Sequence, residues 1–253
     1  MASRYQLEEA KTFDRVKLGN EPLICVPVVS LDKKSIEKIK KFNKKIKLIE
    51  IRFDSIFDES IGTNVFSIIN SIDIPYIFTF RSHKESEKGT QAKVVDDNTR
   101  IKWYTEAIEN GASIIDFELS SIKINENFKE VIKKAKNKNV GVLLSYHNFN
   151  ETPDLNFLLK VIEDENKYDA DILKFATMIK KISDLLVIDQ ATYLVRAAFK
   201  KPIISMGMGY TGKLSRISTV AFGSDIVFAY IGKRSAPGQL SYSQVTKILS
   251  QIY

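Results

Sequence analysis

The chain has one cysteine, two histidines and one tryptophan among its 253 residues. No apolar run is long enough to span a bilayer. Each scarcity removes a class of function. A lone Cys25 cannot close an internal disulfide, and Cys25 with His83 and His147 falls short of the four ligands of a structural zinc site. The opening residues, MASRYQLEEAKTF, lack the apolar core of a signal peptide, so a soluble cytoplasmic protein is the expectation. Six prolines and eleven glycines are scattered rather than gathered into a linker. One domain over residues 1–253 is therefore expected, with residues 1–20 as an N-terminal extension and hairpin.

A net charge of +7 raises the question of nucleic acid. The lysines crowd into residues 33–47 and 123–138, where Ile36, Ile39, Phe42 and Ile46, then Phe128, Val131, Ile132 and Ala135, recur at helical spacing. Such runs read as solvated faces of amphipathic helices. Neither zinc-finger spacing nor the aromatic-glycine signature of an RNA-binding sheet accompanies them. A basic, non-catalytic barrel that binds nucleic acid or nucleotide stays as the rival from outside the enzymes.

What is present is alternation. Residues 13–18 before Gly19-Asn20 read as one arm of a hairpin. Apolar strand-like runs then occupy residues 23–29, 48–53, 75–80, 113–119, 140–146, 171–178, 202–208 and 225–231. Helical patterns lie between them, among them 98–110, 154–165, 183–199 and a last one from Ser241. Eight strand–helix units in a chain of about 250 residues predict an α/β fold of the (β/α)8 TIM-barrel type. Near-continuous apolar strands also suit a sheet buried on both faces.

Catalytic residues of such barrels gather at the C-terminal ends of the strands. Glu50, Arg52, Arg81, Glu118, His147 and Lys174 lie in or at the ends of the apolar runs, and Arg216, Ser235 and Gln239 follow the last two. Lys174 interrupts DILKFATM at 171–178 and shares a strand face with Ile172 and Ala176. Burial disfavours a charged amine, and a neutral amine condenses with ketones to a Schiff base. The alternative is a lysine that snorkels to water. His147 suits general acid/base work one strand earlier, or is an ordinary satisfied histidine, whereas His83 reads as a loop residue. Glu50 and Arg52 are two apart on one strand face, as an ion pair or as ligands for substrate. The GMGYTGKL stretch at 207–214 matches GxGxxG, but follows the seventh strand and has Leu214 where a P-loop needs Ser or Thr. Its glycines read as a tight turn presenting Arg216. The glycine-bounded loop 232–239 is either a lid or a plain connection.

These stretches, in order, resemble the type I 3-dehydroquinate dehydratase family. The carriers are IEIRFDSI (49–56), FTFRSHKESEKG (78–89), DFEL (116–119), LLSYHNFNETP (143–153), DILKFATM (171–178), SMGMGYTGKLSRIS (205–218) and FGSDIVFAYIGKRSAPGQLS (222–241). The resemblance implies a barrel whose N-terminal β-hairpin closes the bottom, a homodimer, and no metal or organic cofactor. It implies that 3-dehydroquinate is dehydrated to 3-dehydroshikimate in the shikimate pathway, toward chorismate and aromatic amino acids. It further implies Lys174 as the Schiff-base lysine, His147 as acid/base and Glu85 as its partner carboxylate. Arg216, Ser235 and Gln239 would hold the substrate carboxylate, and Glu50, Arg52 and Arg81 would surround its hydroxyls. Met206, Met208 and Phe228 would form the apolar lining. Pro27 stands where some members carry a substrate-reaching serine. A barrel aldolase with the same lysine chemistry is the nearest rival among enzymes.

Overall fold

The computed structural model describes residues 7, 10–42, 45–86, 94–232 and 238–252. Strand β1 (Lys11–Phe13) pairs antiparallel with β2 (Val16–Leu18), Phe13 opposite Val16. Asp14 turns the chain between them at a φ of 50°, a left-handed conformation that aspartate tolerates. Residues 13–18 are thus not one arm ending at Gly19-Asn20 but contain the turn and parts of both arms.

The alternation that follows starts with β3 (Leu23–Val28), α1 (Lys33–Lys40), β4 (Leu48–Arg52), α2 (Phe53–Ile56), α3 (Val65–Asn70), β5 (Tyr76–Thr79) and α4 (Asp97–Glu109). It continues with β6 (Ile114–Glu118), α5 (Leu119–Ile124), α6 (Phe128–Asn137), β7 (Gly141–Asn148), α7 (Leu155–Lys167) and β8 (Ile172–Met178). Last come α8 (Ile182–Phe199), β9 (Ile203–Met208), α9 (Gly212–Ala221), β10 (Ile226–Tyr230), β11 (Leu240–Ser241) and α10 (Tyr242–Ile252). Asp32, Asp96 and Asp154 start α1, α4 and α7, each side chain accepting a main-chain N–H three residues on. The lysine-rich runs are shorter as helices than their pattern suggests. α1 stops at Lys40, and Phe42 beyond it is 40% exposed and lies outside the buried stripe. The second run splits at Asn125, whose side chain accepts the N–H of Asn127 and turns the chain between α5 and α6.

Strands β3 to β9 lie parallel in chain order, β10 pairs with β3, and β9 meets β10 through the bridge Ile203–Ser224. This is the expected (β/α)8 barrel. Its core has two parts. Outside the sheet, strand residues such as Leu173 and Phe175 pack against the helices. Inside, one inward residue from each of the eight strands, Cys25, Leu48, Ile77, Ile114, Leu143, Ile172, Ile204 and Ile226, shares an apolar cluster with Phe13, Val16 and Leu18 of the hairpin. The Phe13 ring lies so close to Gly141 that a Cβ there would stand 2.9 Å from its Cγ. The hairpin thereby plugs the N-terminal end. Two residues further along the strands, the same alternation places Glu50, Thr79, Asp116, Ser145 and Lys174, so the interior turns from apolar to ionic toward the C-terminal mouth.

Candidate active site

Lys174 is 4% exposed and sits opposite Ser145 in the β7–β8 register. Its Nζ donates to Asp116 Oδ2 at 2.6 Å and lies 4.9 Å from the centre of the Phe228 ring. Asp116 also accepts from Arg81 Nη2 at 3.0 Å and from Ser145 Oγ at 2.7 Å. Burial alone would raise the Asp116 carboxyl, but the positive charges of Arg81 and Lys174 outweigh it and hold the group well below the usual carboxylate range. The lysine is therefore buried and paired rather than snorkelling. A fixed anion, a guanidinium and an aromatic face set its direction.

His147 lies two residues beyond Ser145 on β7, opposite Ala176. Glu85, in a single 3-10 turn over His83–Glu85, accepts the main-chain N–H of His147 at 3.0 Å and faces its Nδ1 at 3.2 Å. That contact occupies Nδ1. Burial, with the charges of Arg81 and Lys174, pushes the imidazole well below the ordinary histidine range, so it is a neutral base at neutral pH. Burial and the nearby Glu118 push Glu85 up to about 7, while a hydrogen bond from Ser120 Oγ at 2.6 Å works the other way. The other histidine, His83, is exposed.

Glu50 and Arg52 do not pair with each other. Glu50 accepts from Thr79 Oγ1 at 2.9 Å, and Arg52 forks onto Asp54 with 3.0 and 2.8 Å bonds. Arg81 is held from behind by a longer chain, its Nη1 lying 3.3 Å from Glu118, whose other oxygen takes Arg100 at 2.5 Å. Buried Met206, Met208 and Phe228 belong to the interior cluster. Arg216, on α9, reaches toward Met206 Sδ and the Phe228 carbonyl oxygen, each at 3.5 Å. Burial lowers its guanidinium to about 10, leaving it a cation at neutral pH. Gln239 is 2% exposed just before β11. Ser235 and most of the loop at 232–239 lie outside the described residues.

The glycines at 207–212 are accounted for without a nucleotide. A Cβ on Gly212 would lie 2.5 Å from the Gly207 carbonyl oxygen, and one on Gly238 2.2 Å from that of Gly209. Main chain packs on main chain here, so the turn admits no side chain. Among the described residues, no three His, Cys, Asp or Glu side chains are grouped to hold a metal ion, and no helix is long and apolar enough to cross a membrane.

Asp116 and Ser145 are the residues that sequence reasoning passed over, although DFEL was singled out as a stretch. The signal was there, since Asp116 and Glu118 have the same two-residue spacing that marked Glu50 and Arg52.

Residues 24–253 match the family described as type I 3-dehydroquinase. A 3-dehydroquinate dehydratase of Geobacillus thermodenitrificans is 34% identical over 243 residues, 92% of each chain. One of Methanococcus maripaludis is 35% identical over 91% of this chain and 100% of its own. Among solved structures, the 3-dehydroquinate dehydratase of Geobacillus kaustophilus superposes with a TM-score of 0.87 at 30% identity over 98% of both chains. The type I enzyme of Clostridium difficile, solved with covalent modified comenic acid, gives 0.85 at 27% identity over 96% of this chain and 97% of its own. Sequence and architecture agree along almost the whole length, and the chain belongs to the type I 3-dehydroquinase family.

Proposed function

We propose that this chain is a hydro-lyase that dehydrates 3-dehydroquinate to 3-dehydroshikimate through an imine on Lys174. The observation that carries the mechanism is the buried amine, held 2.6 Å from Asp116 at the mouth of the barrel and flanked on the next strand by a neutral His147. Family membership supports the reaction itself.

In this reading the Lys174 ammonium passes its proton to His147, and the freed amine attacks the C3 ketone. His147 carries protons as the carbinolamine forms and loses water. The iminium then draws electrons from C2, and His147 takes the C2 proton to leave an enamine. The enamine expels the C1 hydroxyl, which leaves as water with the proton that His147 took up. Hydrolysis of the imine returns the free amine and releases product, so atoms and charge balance over the cycle. Arg216 is the cation for the substrate carboxylate, a role the family resemblance extends to Ser235 and Gln239, and Glu50, Arg52 and Arg81 meet the hydroxyls. Met206, Met208 and Phe228 form the apolar wall, and Glu85 orients His147. A homodimer, a cytoplasmic setting and a place in the shikimate pathway belong to the same reading and draw their support from the family resemblance.

The test is turnover. Purified chain incubated with 3-dehydroquinate should produce the conjugated enone product, followed by its ultraviolet absorbance, and should leave phosphosugar aldolase substrates intact. Cleavage of a C–C bond in place of water loss would sink the reading.

A further inference from the structure

Helix α7 buries Leu158, Val161, Ile162 and Glu165, the spacing of one continuous helical face. Three of the four are apolar, and the fourth is a carboxyl group with no exposed surface. Among the described residues Glu165 makes no ion pair, and its Oε1 has no hydrogen-bond partner. A leucine would fill this site without that desolvation cost. The exception is its other oxygen, since Oε2 accepts the main-chain N–H of Lys174 at 2.9 Å. Burial raises the Glu165 carboxyl well above its ordinary range, while the hydrogen bond from the Lys174 N–H works the other way. It thus grips the strand through one oxygen of a buried acid.

The direction of a strand side chain is set by its own peptide planes. At Lys174 the side chain enters the barrel, where its Nζ meets Asp116 at 2.6 Å, while the N–H is taken by a helix of the outer ring. We propose that Glu165 is a positioning residue for the Lys174 nucleophile, fixing the main chain of β8 from α7 and with it the line along which the amine meets a ketone. This inference rests on the reading of Lys174 as the imine-forming residue, and it explains why a costly carboxyl occupies an otherwise apolar helix face.

The experiment compares the parental chain with Glu165→Gln, Glu165→Leu and Glu165→Met. It measures the rate of borohydride trapping with 3-dehydroquinate, kcat and KM, the melting temperature, and the mass-mapped site of the adduct. Glutamine keeps an uncharged acceptor of the same length, so trapping and kcat should stay within about threefold of the parent. Leucine and methionine fill the space without an acceptor. Both should slow trapping and kcat about tenfold or more, with KM within about threefold and the adduct still on Lys174. Parental trapping rates in a folded leucine or methionine variant would overturn the inference, as would a tenfold loss in the glutamine variant. Failure of both apolar variants to fold would also overturn it, by assigning Glu165 to stability alone. Absence of any Lys174 adduct in the parental chain would instead count against the nucleophile reading itself.

Discussion

In the proposed mechanism His147 carries the proton traffic, a role supported by its Nδ1 facing Glu85 at 3.2 Å and by burial that keeps its ring neutral at neutral pH. General acid–base assistance of this kind contributes about 10²–10⁴-fold. His147→Ala should therefore lower turnover by that order while Lys174 still accepts a trapped adduct, since imine formation needs the amine more than the imidazole. Undiminished turnover in that variant would remove His147 from its role. At this scale much of the site was legible. Lys174, His147 and Arg81 stood out as ionisable groups in apolar strands, and the structure brings Arg81 and Lys174 onto the same Asp116 carboxylate. The partnership of Glu85 with His147 was read through resemblance, because 62 residues separate the two and no local spacing reveals the contact. Asp116 itself was passed over, as an acid in a strand declares a partner only once neighbouring strands are in register.

Among the elements, the contact between α8 and α9 has its own titration. Asp189 on α8 accepts from Ser218 Oγ on α9 at 2.9 Å, and burial raises its carboxyl to about 6. A carboxyl raised above its unfolded value favours the folded state below roughly pH 4, and that stability is lost as pH rises through about 6. Asp189→Asn keeps an acceptor for Ser218 without the charge. The variant should unfold with roughly 3 kcal/mol more stability than the parent at pH 8, the difference shrinking toward pH 4. Parallel stability curves across that range, from denaturant melts, would contradict this account. Strands and long helices were readable from apolar runs and the 3.6-residue period, as for α8, expected over 183–199 and found at Ile182–Phe199. The hairpin turn at Asp14 was not, because Gly19-Asn20 is the stronger local turn signal and only the register of Phe13 with Val16 decides between them.

Across the whole molecule, the two ends of the barrel divide labour. The mouth carries the ionic site, whereas the bottom is held by apolar packing and by one buried ion pair. Asp225 and Arg196 are both fully buried, 2.8 Å apart. The Asp225 carboxylate also accepts main-chain N–H groups from Gly19, after the hairpin, and Ile203, at the start of β9, each at 2.9 Å. It thus ties the hairpin to the β9–β10 seam, where strand pairing is reduced to a single bridge. Removing one partner of such a pair costs roughly 3–5 kcal/mol. Asp225→Ala should lose that much stability in equilibrium unfolding, while any variant that remains folded keeps its Lys174 chemistry. A loss below about 1 kcal/mol would refute the role given to this seam. Repeated strand–helix alternation made the barrel legible from sequence. The tie between hairpin and seam was not, since its bond joins residues 206 positions apart.

The proposed chemistry converges on one amine. Borohydride reduction in the presence of 3-dehydroquinate, followed by peptide mass mapping, tests that convergence directly. The predicted result is one stable adduct per chain, on Lys174, dependent on substrate. An adduct on any other lysine, or none while turnover proceeds, would contradict the imine mechanism.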